Sequence, residues 1–142
     1  MKTSFPKPAE KGTWYVIDVA GQRLGRIGSR IALVMRGKHR PQFVAHWPSG
    51  DHVIVLNADK VALTGNKREQ KIYYRHTGFF GNRRETVLSD MMEKDAAKVV
   101  FLAVKGMLPK NAARERILKN LHVYAGSEHK HAANQPVPLP TV

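Results

Sequence analysis

The stretch "WYVIDVAGQRLGRIGSRIALVMRGKHR", residues 14–40, decides the fold. Its first six residues are β-branched or aromatic apart from Asp18, the composition of a strand covered on both faces. "AGQ" turns the chain, and apolar residues then recur at helical spacing over 23–36. Leu24, Ile27, Ile31, Val34 and Met35 fall on one arc, which faces a core. Gly25, Gly28, Ser29 and Ala32 form a second arc, small enough to admit another element closely, and Arg23, Arg26 and Arg30 share a third arc of about 60°. Gly37 suits the position just past a helix end.

Strand, glycine-bearing turn and helix are the layout of a phosphate cradle. The spacing does not fit one. A dinucleotide fingerprint would place its first glycine where Arg23 stands, ahead of Gly25 and Gly28. A P-loop counted from Gly21 meets Arg26 instead of its second glycine, and no Lys-Ser/Thr pair follows. The glycines then permit close packing, while the arginines face a larger anion.

Working outward, "KHRPQFVAHWPSGD" (38–51) is a basic loop with aromatics, and "HVIVL" (52–56) is a second strand. Together with 14–36 they make a right-handed crossover with parallel strands. A β-like run at 61–63, a hairpin-like turn at Gly65 and Asn66, and a third strand "KIYYR" (71–75) come next. Beyond the loop "HTGFFGNRRE" (76–85) a helical pattern resumes near Thr86, with Asp95 an N-cap for 96–105. Gly106 should stop that helix and Pro109 start the next, before a last strand, "HVYA" (122–125). The expectation is an α/β fold, a sandwich around a mainly parallel sheet. Residues 1–13 should be a loosely held arm, 14–125 a single domain, and 126–142 an extended tail lying on a surface or partner instead of packing as an element.

Charge points to the partner. The 142 residues carry 24 Lys+Arg against 11 Asp+Glu, a net charge of +13, which attracts polyanions, nucleic acid foremost. The absence of cysteine excludes disulfides, thiolate zinc sites and cysteine nucleophiles. There is no signal-type or membrane-spanning apolar run, so a cytoplasmic protein without a membrane partner is the simplest expectation. Glu128, His129 and His131 lack further ligands to complete a metal site, no hydrolase motif is present, and neither a catalytic residue nor a cofactor is expected.

Between Val19 and Gly50 stand Arg23, Arg26, Arg30, Arg36, Lys38 and Arg40, with His39 among them and no acidic residue. An ordinary solvated helix mixes both signs, so these are candidate phosphate ligands, with a merely solvated face as the bland reading. Lys67 and Arg68 after the Gly65 turn, and Arg75 and His76 at the end of the third strand, extend the set. Phe79 and Phe80 beside Arg83 and Arg84 combine stacking rings with cations, as in proteins that read unpaired RNA, although one ring could equally plug the core. Lys105, Lys110, Arg114, Arg116 and Lys119 surround a single Glu115 as a second patch, and His129, Lys130 and His131 form a third.

Five segments in order, "LGRIGSRIALVMRGKHR", "VIVLNADKVALTGNK", "YYRHTGFFG", "AVKGMLPKN" and "VYAGSEHKHAANQP", resemble the bacterial form of the large-subunit ribosomal protein L-thirteen family over nearly the whole chain. The resemblance implies a non-enzymatic structural protein that binds large-subunit (23S-type) rRNA early in assembly, beside neighbouring large-subunit ribosomal proteins. It implies a three-layer α/β/α sandwich with a mainly parallel four-stranded sheet, plus extensions, and places "KGMLP" and "HKH" at or near RNA. It leaves no role for a small-molecule substrate. Two other classes remain possible from the residues alone: an mRNA-binding translational regulator acting off the ribosome, and a nucleotide-dependent enzyme.

Overall fold

The computed structural model describes residues 12–140. Strands β1 (Trp14–Asp18), β2 (His52–Leu56), β5 (Leu121–Val123) and β6 (Val137–Pro138) form one sheet in the order β5-β2-β1-β6, with every pairing parallel. Helix α1 (Leu24–Met35) connects β1 to β2. Between β2 and β5 come α2 (Lys67–Gln70), the antiparallel hairpin β3 (Ile72–His76) and β4 (Arg83–Val87), α3 (Leu88–Met107) and α4 (Ala113–Leu118).

Right-handed crossovers fix the layers. The steps from β1 to β2 and from β2 to β5 run the same way across the sheet, so α1, α3 and α4 lie on one face. The return step from β5 to β6 runs the other way and carries residues 124–136 over the opposite face. Strand alternation agrees: Ile17, Val53, Val55 and Leu121 join Ile27, Ile31, Val34, Val100, Val104 and Ile117 in one core cluster. On the other face Trp14, His52 and His122 meet His131 of the crossover. The α/β class and the four-stranded parallel sheet are as expected; the third layer is this crossover, with a short 3₁₀ turn at Ala132–Asn134.

Helix α1 follows its sequence closely. Ile27, Gly28, Ile31, Ala32, Val34 and Met35 are buried, each large one stabilising by roughly 1.5–3 kcal/mol. Gly28 is where α3 comes nearest: a Cβ there would lie 3.0 Å from Met107 Sδ, so the small arc does admit a second helix. At the other end the Gly37 amide donates to Val34 O (2.8 Å) and the Lys38 amide to Leu33 O (3.1 Å). Gly37 takes φ of +79°, and this double closure is the Schellman motif its position suggests.

Four expectations need correction. "KIYYR" is not in the main sheet; it pairs with 83–87 as a separate hairpin, because its successive side chains are nearly all exposed and cannot serve a buried sheet. The fourth strand comes instead from the tail, where Val137 and Pro138 pair with Tyr15 and Val16 and Leu139 is buried in the core. Proline fits there because β6 is an edge strand. The run at 61–63 makes only an isolated bridge, Ala62 to Arg23, and Gly65 and Asn66 lead into α2 instead of a hairpin. Helix α3 passes through Gly106 to Met107, and Pro109 precedes an irregular turn before α4. Asp95 does cap as expected: it breaks the helical backbone and its Oδ1 accepts the Lys98 amide at 3.0 Å.

The loose arm expected over 1–13 lies outside the described residues as far as 11. Gly12 sits against the Gly50 backbone, and Thr13 bonds to Asp51 and His52.

Candidate nucleic-acid interface

At the carboxyl end of β1, where a nucleotide phosphate would seek free amides, several of the turn's amides already have partners. Gly21 N–H donates to Lys60 O (2.9 Å) and Leu24 N–H to Ala62 O (3.1 Å), while Ala62 N–H donates back to Gln22 O (2.9 Å). The segment after β2 therefore occupies the mouth of the turn, and the cradle layout serves packing. Asp18 braces the same turn, its Oδ1 accepting the Ala20 amide and Asn57 Nδ2, each at 2.9 Å. These two bonds hold its carboxyl below the usual carboxylate range.

Arg23, Arg26 and Arg30 come together as the helical arc requires, lining an open cleft of about 400 Å³ with Gly21, Gln22 and Ile27. Among the described residues none of the three has a carboxylate partner, and the buried Nε of Arg30 has no acceptor. Arg23 is the N-cap and no acidic residue lies in the first turn. Cations at that end oppose the helix dipole, so the arrangement costs the free protein stability and suits a bound anion.

Two candidates next to this arc turn inward. Asp51 is buried at 1% exposure, and its Oδ1 accepts from Arg40 Nη2 (2.5 Å) and the Thr13 amide (2.9 Å). His39 lies 3.8 Å from the other carboxylate oxygen and 3.3 Å from the Tyr15 hydroxyl, its side chain 10% exposed. Burial lowers its pKa, Asp51 opposes that and Arg40 adds to it. Arg40 and His39 thus form a clamp closing the loop 38–51 onto the start of β1, a structural role beside the RNA contact expected of them. Arg36 and Lys38 remain outside, about a ring's reach from Phe43 at 5.9 and 6.0 Å.

Lys67 and Arg68 are exposed on α2. The hairpin brings Arg75 opposite Arg84 and His76 opposite Arg83. Arg83 pairs with Glu85 and covers the Tyr74 ring at 4.8 Å. Both phenylalanines of its tip are exposed, so neither plugs the core. On α3 and α4, Lys105 and Arg114 are drawn to Glu115 at 3.6 and 3.9 Å, leaving Lys110, Arg116 and Lys119 as the exposed cations of that patch.

His131 also turns inward. Its ring lies 4.5 Å from His122 and 4.9 Å from Trp14, within a stack completed by Trp14 on His52 at 4.1 Å. It pins the crossover to the sheet, and His129 supports it by accepting the His131 amide at 3.2 Å. Lys130 alone of "HKH" is exposed. Burial lowers the pKa of His52 and of His122, His131 adding to both and Asp51 opposing it at His52. Composition could not reveal this cluster, because its members are scattered over 14–131; only the alternation of β1, β2 and β5 places three of them on one face. Among the described residues no group of three or more His, Asp or Glu is placed to hold a metal, and no helix is long and apolar enough to cross a membrane.

Fixed patches of exposed cations on a small α/β body, with part of the cradle turn's amides bonded internally, define a basic α/β domain whose surface suits polyanions. A family model described as ribosomal protein L13 matches residues 12–130. Large ribosomal subunit protein uL13 of Thermobifida fusca is 52% identical over 139 residues, covering 97% of this chain and 93% of that protein. The uL13 proteins of Lawsonia intracellularis and Alkalilimnicola ehrlichii are 48% and 47% identical over 140 residues, each covering 98% of this chain and 97% and 99% of their own lengths. The chain belongs to the ribosomal protein L13 family.

Proposed function

We propose that the chain is a structural, non-enzymatic constituent of the large ribosomal subunit that binds large-subunit rRNA early in assembly and remains there in the cytoplasmic ribosome beside neighbouring ribosomal proteins. The observation that carries this reading is the arc of Arg23, Arg26 and Arg30, unpaired with any carboxylate among the described residues and gathered on one cleft. Arginine forks match phosphate oxygens two at a time, and a rigid helix holds three of them in fixed relation. Arg36, Lys38, Lys67, Arg68, Arg75, Arg83, Arg84, Lys110, Arg116, Lys119 and Lys130 extend the contact by charge neutralisation, and His76 lies beside them on the hairpin. Relatives named as large-subunit proteins over almost their full length support the assignment to that subunit.

Sedimentation tests it. The chain is expected to travel with large subunits after a high-salt wash, and to join particles that precede the mature subunit in cells. Recovery mainly in ribosome-free fractions would overturn the reading and favour a regulator of messenger RNA.

A further inference from the structure

The two most exposed large apolar side chains among the described residues sit side by side at the tip of the β3–β4 hairpin: Phe79 at 75% and Phe80 at 107%. They are held out by a closed turn. Asn82 N–H donates to Phe79 O (3.2 Å), Thr77 N–H to Asn82 O (3.4 Å) and Gly78 N–H to His76 Nδ1 (3.0 Å). Gly78 and Gly81, at φ of +95° and +70°, bracket the pair in conformations other residues rarely take.

The strands below carry charge that works against the hairpin itself. Arg75 lies directly opposite Arg84, and like charges in such a pair destabilise a sheet. The hairpin accepts exposed rings at its end and repulsion between Arg75 and Arg84, and both liabilities are relieved by one kind of partner: flat apolar faces joined to closely spaced negative charges. An apolar protein pocket supplies the first without the second. An RNA duplex supplies phosphates but keeps its base faces stacked inside. An unpaired strand offers both.

Resting on the RNA-binding reading above, we propose that the hairpin tip is a stacking site for unpaired bases, with Phe79 and Phe80 against base faces and Arg75, Arg83 and Arg84 on the flanking phosphates. The double variant F79L/F80L keeps apolar bulk and removes the rings, and both positions are outside the core, so its fold is checked by thermal melting. The full chain and the variant are titrated, across salt, with a 12-nucleotide unstructured single-stranded RNA and with a 12-base-pair RNA duplex. The variant should bind the single strand at least about tenfold more weakly at every salt concentration, with an unchanged salt slope, and the duplex within about threefold of the parent.

Equal loss on both RNAs, or no loss on either, would sink the stacking site while leaving the RNA-binding reading intact. So would a variant that keeps its single-strand affinity but no longer joins the large subunit, since the rings would then be meeting a protein. A parent chain that binds neither RNA overturns the underlying reading and this site with it.

Discussion

Replacing Arg23, Arg26 and Arg30 together by glutamine should move stability and RNA affinity in opposite directions. In the free protein the three charges are adverse. Arg23 and Arg26 occupy the N-cap and third residue of α1, against the positive end of its dipole, and Arg30 stands four residues beyond Arg26. Dipole conflicts cost roughly 0.3–1 kcal/mol and like-charge pairs at that spacing roughly 0.2–0.5 kcal/mol. Arg23 and Arg26 are exposed, so the low end of each range applies and about 0.5–1 kcal/mol should be gained. That corresponds to a rise of a few degrees at most in melting temperature. On rRNA the sign reverses. Three lost phosphate contacts should lower the slope of log affinity against log salt by about 2 to 3, since each contributes about 0.7 to 0.9. Between 50 and 200 mM salt the affinity gap between parent and variant should then shrink roughly 20- to 40-fold. Filter binding to large-subunit rRNA over that range, with calorimetric melts of the free proteins, reads both effects. A lysine triple variant should keep the slope and bind more weakly throughout, because the charge survives and the fork is lost. Parallel salt lines for parent and glutamine variant, or a variant that melts lower, would refute the assignment of this arc to phosphate.

Gly28→Ala should be close to neutral, because the propensity gain in α1 offsets a contact with the movable end of Met107; Gly28→Leu, which must push α3 away, should lose about 1–3 kcal/mol in urea unfolding. Asp51→Ala removes the acceptor of Arg40 and of the Thr13 amide and should cost about 2–3 kcal/mol, less than the roughly 3–5 kcal/mol of a fully buried pair because the Arg40 side chain is 30% exposed. Acid should destabilise the free protein before its carboxylates titrate. His39, His52 and His122 are held below the ordinary histidine value of 6.5, so the folded chain binds fewer protons than the unfolded one just below that pH. Their contribution is complete above 6.5 and is lost as pH falls through 6.5 and on through the lowered folded values. Melting temperatures from pH 7.5 to 5 should fall in the parent and fall less in His52→Phe, which keeps a ring on Trp14; a flat profile in the parent would exclude the effect.

What the sequence makes legible is what periodicity encodes. The three arcs of α1, the Gly37 stop, the parallel β1–β2 pair and the Asp95 cap all depend on residues within a turn or two of one another, and all are found. The arginine arc of the interface was legible for the same reason. The errors occur where a distant residue decides. Arg40 and His39 read as solvent-facing cations until Asp51, on the far side of a loop, is seen to be buried against them. His131 reads as a tail residue until three strands assemble the rings it meets. "KIYYR" has strand composition wherever it pairs, and of the two segments competing to be the fourth strand "PVPLP" takes the edge beside β1, the side chains of "KIYYR" being nearly all exposed.

That competition links the fold to the interface. Residues 136–140 read as a surface tail because prolines are poor strand formers, yet on an edge strand such as β6 a proline whose nitrogen faces outward forfeits no ladder bond. Leu139 donates its amide to Val16 O at 3.0 Å and is buried in the core, so the end of the described chain is fastened to its beginning. The crossover that leads there is pinned by His131 on Trp14 and His122, and carries Lys130 on its outer side. A tail that merely lay on RNA would have to order itself on binding and would cost affinity. One closed into the sheet presents its cation in a fixed relation to the α/β body, and β6 leaves the hairpin free of the main sheet, with its arginines and phenylalanines clear of the core.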